Sequence, residues 1–204
     1  MKNLSYLVAA SLFIWTIQSC GNPESKDTVE QAEEFNQRED TANFRTAPDL
    51  GVDTEDYDDT DFAVKAADGG LTEVQLGKIA QTNASDQAVK DFGQRMVTDH
   101  GKSNKELMAL AEKKGIALPP APSQDKVKHI KEMNDTQGPE FDKMYMDMMV
   151  KDHETTINLF ETASERATDA EIKAFATKTL PILKEHHAAA QSLQSTIDNR
   201  SNNN

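Results

Sequence analysis

Large apolar side chains recur every three or four positions from residue 61 almost to the end of the chain. This spacing places them along one side of a helix, whereas a half-buried strand alternates with a period of two. The pattern predicts long helices over residues 61–83, over 86–114, from 138 to a turn near 168, and from there to 198. A short helix is expected over residues 124–134. Strand patterns are nearly absent, so we predict an all-α fold.

The helix boundaries carry their own signals. Asp86 is a good N-cap residue for the second long helix, and Gly115 after two lysines is typical of its C-terminus. The segment Thr168-Asp169-Ala170-Glu171 fits a capping box at the start of the last helix. Pro181 interrupts that last helix and is expected to kink it.

The two halves of the helical region resemble each other at an offset of 83 residues. Matched pairs include Val74 with Ile157, Val89 with Ile172, and Phe92 with Phe175. Two helical hairpins joined by a longer crossover describe a ferritin-like four-helix bundle. We take both hairpin turns, near residues 84 and 168, to lie at the same end of this bundle.

The motif Met-Val-x-Asp-His occurs twice, at residues 96–100 and 149–153. Each copy puts its methionine and histidine four residues apart, on one face of a helix. Counted from the hairpin turns at ~1.5 Å per residue, His100, His153 and His186 agree in height within about 5 Å. We therefore expect three histidines from three helices to converge, facing a gap at Gly69 and Gly70 on the first helix.

A histidine cluster of this kind predicts a metal site in the core. The candidate ligands are His100, His153 and His186, with Asp99, Asp152 and Glu73 as further ligands or as groups that orient the rings. Histidine with carboxylate suits Zn, Fe or Mn, whereas histidine with Met96 and Met149 would favour Cu. The repeated Met-Val-x-Asp-His motif does not result from the 83-residue repeat, because at that offset His153 pairs with Gly70 and not with His100.

Two other interpretations remain open. The histidines are equally compatible with satisfied polar groups in a packed core, in a protein with an interaction or stress role. An oxidoreductase is less favoured, because Val97, Val150 and Leu183 stand where a di-iron protein has the Glu of Glu-x-x-His. No other catalytic motif is visible, so a non-catalytic role is favoured over an enzyme.

The first residues are typical of a targeting segment. Lys2 precedes a largely apolar stretch over residues 4–17, and residues 17–20 resemble a bacterial lipobox. We predict a signal peptide over residues 1–19 and a lipid on Cys20, which would anchor an exported protein to a membrane. Cys20 is the only cysteine, so an internal disulfide is excluded.

An acidic stretch follows this anchor. Residues 21–60 hold 13 acidic and 3 basic side chains, a net charge of −10 out of −13 for the chain. Few large apolar residues occur there, so we expect residues 20–60 to be a disordered tether and 61–198 to be the folded domain. Residues 199–204 are expected to be a frayed tail. No basic patch with interleaved aromatic residues appears, which argues against a nucleic-acid partner.

Four stretches resemble one known family. They are FAVKAADGGLTEVQLG at 62–77, VKDFGQRMVTDH at 89–100, KGIALP at 114–119 and MVKDH at 149–153. Together they are similar to the bacterial domain-of-unknown-function 4142 family, over about residues 61–197. The resemblance implies a ferritin-like bundle in an exported envelope protein, often described as an outer membrane protein. It implies no established reaction, and the face of the membrane, periplasmic or outward, and any protein partner stay open.

Overall fold

The computed structural model describes residues 26–44 and 57–201. These residues form six helices and no strand: α1 Thr28–Phe44, α2 Asp59–Asn83, α3 Gln87–Lys114, α4 Gln124–Asp135, α5 Gly138–Arg166 and α6 Ala170–Ser201. The all-α prediction is therefore confirmed for the described part of the chain. None of its helices is both long enough and apolar enough to cross a membrane.

The four long helices pair into two hairpins. α2 packs along α3, α5 packs along α6, and the hairpins contact each other through α2 with α5 and α3 with α6. The end of α2 meets the start of α5, where Ala84 bridges Gly138. At the opposite end, Lys114 pairs with Asp169. The two hairpin turns consequently lie at opposite ends of the molecule.

Our expectation that both turns share one end is wrong, and the crossover explains why. Residues 115–137, which contain α4, connect the end of α3 to the start of α5. The α4 segment alone spans about 18 Å at 1.5 Å per residue. The crossover therefore carries the chain back along the molecule, and the second hairpin starts from the end at which the first one turns.

One carboxylate fastens each turn to the other hairpin. Asp142 of α5 accepts hydrogen bonds from Ser85 N, Ser85 Oγ and Asp86 N in the first turn. Asp59 of α2 accepts from Thr168 N, Thr168 Oγ1 and Asp169 N in the second. The donor and acceptor positions of these two sets differ by 83, so the sequence repeat corresponds to a two-fold-like relation between the hairpins.

The interior divides into two apolar clusters. One contains Leu76, Met96, Met149 and Ala190, and the other contains Ala67, Leu107, Phe160 and Leu183. On each long helix, a polar residue lies in the sequence between a member of one cluster and a member of the other. These four residues are Glu73, His100, His153 and His186, and all are buried.

The N-terminal region differs from the expected tether. Residues 28–44 form α1, which packs on α2 with Ala32 and Asn36 buried. The Asn36 side chain donates to Ala117 O and accepts from Ala117 N. These two hydrogen bonds satisfy the backbone N–H and C=O of Ala117 in the crossover. They help to hold α1 against the rest of the protein, although it is acidic and has few large apolar residues.

Several predicted features lie outside the described residues. These are the signal peptide, Cys20 with its lipid, residues 45–56 of the acidic stretch and residues 202–204 of the tail. At the C-terminus, α6 continues through Pro181 and extends to Ser201, past the predicted start of the frayed tail at residue 199.

Candidate metal centre

Three histidines from three helices meet between the two apolar clusters. His100 is contributed by α3, His153 by α5 and His186 by α6, and their ring centroids lie 5.2–5.6 Å apart. One nitrogen from each ring lies within 4.8 Å of the others. The convergence predicted from the sequence is therefore present, in a region where His153 and His186 are completely buried.

Glu73 of α2 completes the polar layer. The Nδ1–H of His100 donates to Glu73 Oε2 at 2.9 Å, and His153 Nδ1 lies 3.5 Å from Glu73 Oε1. The expected gap at Gly70 is filled by another side chain, since a Cβ there would lie 2.1 Å from Asn104 Oδ1. The fourth helix thus contributes a carboxylate to the site, where the sequence had suggested open space.

Hydrogen bonds on one side of each ring fix its tautomer. His153 Nδ1 donates to the carbonyl oxygen of Met149 at 2.9 Å, and His186 Nε2 donates to Asp99 Oδ2 at 2.8 Å. A carbonyl or carboxylate only accepts, so the proton lies on the bonded nitrogen and the lone pair on the other. Carboxylates that orient imidazoles in this way are a recurring feature of metal sites.

The other nitrogen of each ring is buried and has no hydrogen-bond partner among the described residues. These atoms are His100 Nε2, His153 Nε2 and His186 Nδ1. Glu73 Oε1 is buried and unpartnered in the same way. Buried polar atoms normally have partners, and three adjacent lone-pair nitrogens cannot serve one another without added protons. The cluster therefore has the donors of a metal site and lacks the partners of a purely structural one.

The charges of the cluster are unevenly distributed. Burial alone would raise the pKa of Glu73, but the nearby histidines outweigh it and hold that pKa below its usual range. Burial opposes protonation of His100, yet the Glu73 carboxylate raises the pKa of His100 above its ordinary value. The Glu73 carboxylate and the protonated form of His100 therefore stabilise each other.

The other two histidines are neutral. Burial lowers the pKa of His153, although Glu73 acts in the opposite sense. Burial also lowers the pKa of His186 to about 4, in spite of the hydrogen bond to Asp99. A metal requires the unprotonated form of imidazole, so His153 and His186 are ready to bind, and metal binding would displace any second proton from His100.

The dimensions suit a single transition-metal ion. Imidazole nitrogens bound to zinc at 2.0–2.1 Å in a tetrahedral site are about 3.4 Å apart. The observed separations, up to 4.8 Å, require an inward movement of about 1 Å by the side chains. Three imidazoles and one carboxylate are ligands for Zn, Fe, Mn or Cu and do not suit Ca or Mg.

Not every predicted ligand joins the cluster. Asp152 lines a cleft of about 260 Å³ together with Glu73 and Lys126, and Lys126 Nζ lies 3.8 Å from Asp152 Oδ2. Burial raises the pKa of Asp152. Asp99 reaches the cluster only through His186, so it orients a ring and is not itself grouped with the three nitrogens. Met96 and Met149 are buried in the neighbouring apolar cluster.

Sequence reasoning overlooked one buried polar group. Tyr145 lies two turns before His153 on α5, and its hydroxyl is buried without a partner in the described part of the chain. Burial raises the pKa of this hydroxyl, and the charge of Glu73 raises it further. The apolar spacing of α5 had marked Tyr145 as a core residue only. His129 is exposed on α4, and His187 is outside the three-histidine cluster.

Fold and site together define an all-helical protein with a buried three-histidine cluster. Residues 45–193 match the family described as Domain of unknown function (DUF4142), and the chain belongs to this family. No curated protein matches the chain. A similar solved structure is that of "putative secreted protein DUF305 from Streptomyces coelicolor", with 12% identity and a TM-score of 0.59. The match covers 69% of this chain and 94% of that chain, and at this identity it shows the fold alone.

Proposed function

We propose that this protein binds one transition-metal ion in its core through His100, His153 and His186, with Glu73 as the fourth side chain of the site. The observation that carries this proposal is the set of three unpartnered nitrogens, each on a ring whose opposite nitrogen is already bonded. Zinc or ferrous iron fits the imidazole and carboxylate donors best. Imidazole also suits Cu²⁺, manganese fits less well, and Cu⁺ would be favoured only with a thioether ligand.

We further propose that this site belongs to a lipid-anchored envelope protein built as a ferritin-like four-helix bundle. The lipobox-like residues 17–20 and the apolar stretch before them support export and lipidation of Cys20. The two hairpins and their long crossover support the bundle topology. The structural neighbour is named as a secreted protein, which agrees with export. The role is one of binding a metal, and catalysis is not required by any feature of the site.

Metal content tests the proposal directly. The protein is purified without a histidine tag, stripped with a chelator, reloaded separately with Zn²⁺, Fe²⁺, Mn²⁺ and Cu²⁺, and analysed by elemental mass spectrometry. We expect about one ion per chain, and loss of uptake in His100→Asn and His153→Asn. His129→Asn is the matched control, because His129 is an exposed histidine outside the cluster.

Two outcomes would overturn the proposal. The absence of uptake for all four metals would favour the competing interpretation, in which the histidines are structural polar groups of an envelope interaction or stress protein. Equal uptake by the wild type and both cluster variants would show that any bound metal lies elsewhere. Circular dichroism of each variant separates loss of a ligand from loss of the fold.

A further inference from the structure

The internal repeat relates the site to a second set of positions. At an offset of 83, the site residues Glu73, His100, His153 and His186 pair with Thr156, Leu183, Gly70 and Ser103. All four of these partner positions line one internal cavity of about 20 Å³, which Glu73 and His100 also line. Ligand side chains therefore lie at one set of positions of the two-fold-like relation, and small or apolar residues around a small cavity lie at the other.

The cavity adjoins unpartnered polar atoms. His100 Nε2 and Glu73 Oε1 belong to cavity-lining residues, are buried, and have no hydrogen-bond partner in the two described segments. A space of 10–15 Å³ accommodates one water molecule when polar groups surround it. Ser103, Asn104 and Thr156 supply a hydroxyl, an amide and a second hydroxyl to the same walls. The cavity is thus large enough and polar enough for a ligand of one to three heavy atoms.

A surface cleft adjoins this cavity. A cleft of about 90 Å³ between α3 and α6 shares His100, Ser103, Thr179 and Leu183 with the cavity. Its rim contains Lys102 and Lys178 together with Asp99 and Glu106, and Lys178 is paired with Glu106 at 2.7 Å. The rim charges balance, so they do not select the sign of a ligand.

We propose that the metal centre keeps one coordination position open towards this cavity, where it takes water or a small inorganic anion from the cleft between α3 and α6. This inference rests on the proposed metal site and specifies what the site binds. Structural zinc sites close their coordination sphere with four protein ligands, whereas sites that act on a ligand leave one position open. Glu73 is hydrogen-bonded to His100 Nδ1, so the three imidazole nitrogens coordinate the ion and the fourth position is left for the ligand. The cavity adds the space that such a position needs.

The charge of the occupied centre selects an anion. Three neutral imidazoles leave the full 2+ charge of the metal, and the buried carboxylate of Glu73 reduces the total to 1+. The Asp99 carboxylate on His186 is 33% exposed, so solvent screens its charge. A buried net positive charge favours an anionic ligand, because little solvent is present to screen it. The narrow dimensions exclude larger oxyanions, so hydroxide, azide and cyanide are the class of ligand that fits.

Cobalt substitution tests the open position. The full chain is loaded with Co²⁺, whose visible absorption bands report the number and type of ligands, and sodium azide is then titrated at constant ionic strength. We expect saturable band shifts. Bands that stay unchanged at every azide concentration in a protein that holds Co²⁺ would overturn the open position and leave the metal site intact. Failure to take up Co²⁺ at the first step would overturn both.

A pair of serine variants tests the location. Ser103→Val adds volume beside the cavity and should weaken azide binding about tenfold while Co²⁺ uptake is retained. Ser164→Val makes the same change at a half-buried serine of α5 that lines neither the cavity nor the cleft, and it should bind azide within about threefold of the wild type. Equal azide affinity in Ser103→Val and the wild type would show that azide enters elsewhere and would refute the proposed path.

Discussion

Glu73 stands at the centre of the candidate site with one carboxylate oxygen towards each of two histidines. The helical spacing of α2 places this residue on the buried face among apolar neighbours, where a carboxylate is unusual. That position was visible in the sequence, but its importance was not, because the height count favoured Gly70. The structure shows that a side chain of four heavy-atom bonds reaches one turn along the helix axis to the histidines.

Glu73→Gln removes the negative charge and keeps the shape. We expect Zn²⁺ affinity to fall by 10–100-fold, because the carboxylate either binds the metal or orients His100 and favours its donor nitrogen. Isothermal titration calorimetry of metal-free protein measures the change. The control is Glu161→Gln, which removes an exposed carboxylate paired with Lys184 on the surface. Unchanged affinity in Glu73→Gln would contradict a role for this residue in the site.

The buried neutral histidines predict a pH dependence of the metal-free protein. The ordinary pKa of histidine is 6.5, and burial lowers that of His186 to about 4 in the folded state. Below pH 6.5 the unfolded chain gains a proton that the folded protein does not, so stability decreases as the pH falls. Between pH 6.5 and 5, we expect the free energy of unfolding to decrease by about 2 kcal/mol.

Between pH 6.5 and 5, the effect of His186 on stability can be measured separately from that of the Glu73–His100 pair. The raised pKa of His100 contributes stability that is fully present below pH 6.5, and the lowered pKa of Glu73 contributes stability that is fully present above its ordinary value of 4.5. Both contributions are therefore nearly constant between pH 6.5 and 5. Urea unfolding in the presence of a chelator measures the slope, and His186→Asn should reduce it. An equal slope in the variant would refute the assignment.

At the level of helices, the convergence of the three histidines was predicted from a premise that was partly wrong. The heights of the histidines were counted from two turns assumed to share an end, whereas the turns lie at opposite ends. His100, His153 and His186 nevertheless agree, because each lies near the middle of its helix. Reversing a hairpin exchanges its ends and leaves its midpoint in place. The apolar spacing predicts where each helix begins and ends, and so where a residue lies within its helix. It carries no information about the direction in which the neighbouring hairpin runs.

Two glycines of α2 predict opposite effects of the same substitution. A Cβ at Gly77 would lie 2.6 Å from the carbonyl oxygen of Gly93, whereas one at Gly69 would have no neighbour within 4 Å. Backbone of α3 cannot yield as a flexible side chain can, so Gly77→Ala should destabilise the protein by about 2 kcal/mol. Gly69→Ala should stabilise it by about 0.5–1 kcal/mol, since alanine favours helix. Chemical denaturation followed by circular dichroism measures the free energy of unfolding of both variants. A Gly77→Ala variant more stable than the wild type would contradict the close approach of α2 and α3.

At the level of the whole molecule, the sequence repeat predicted two equivalent hairpins but gave no indication of α1. The repeat is readable because the same apolar residues face the same core in both hairpins. α1 is acidic and has few large apolar residues, and it is held by hydrogen bonds from Asn36 to Ala117 and from Thr28 to Ala121, together with the buried Ala32. Hydrogen bonds between single polar side chains and distant backbone groups leave no periodic signal.

The two-fold-like relation supplies a matched pair of variants for the last prediction. Asp142 and Asp59 each accept three hydrogen bonds from the opposite turn, but Asp142 is 3% exposed, whereas Asp59 is only half-buried. Replacing either by Asn leaves one acceptor oxygen and turns an amide group towards backbone N–H donors. Buried donors left without acceptors cost about 1–3 kcal/mol each, whereas water reaches the exposed ones.

We therefore expect Asp142→Asn to lower the free energy of unfolding by about 3 kcal/mol and Asp59→Asn by about 1 kcal/mol. Urea denaturation monitored by circular dichroism gives both values under one set of conditions. Each variant loses the same contacts to an equivalent turn, so the difference between them measures burial alone. Equal destabilisation would mean that water does not reach the turn at Thr168, and that the two hairpins are more nearly equivalent than their exposures indicate.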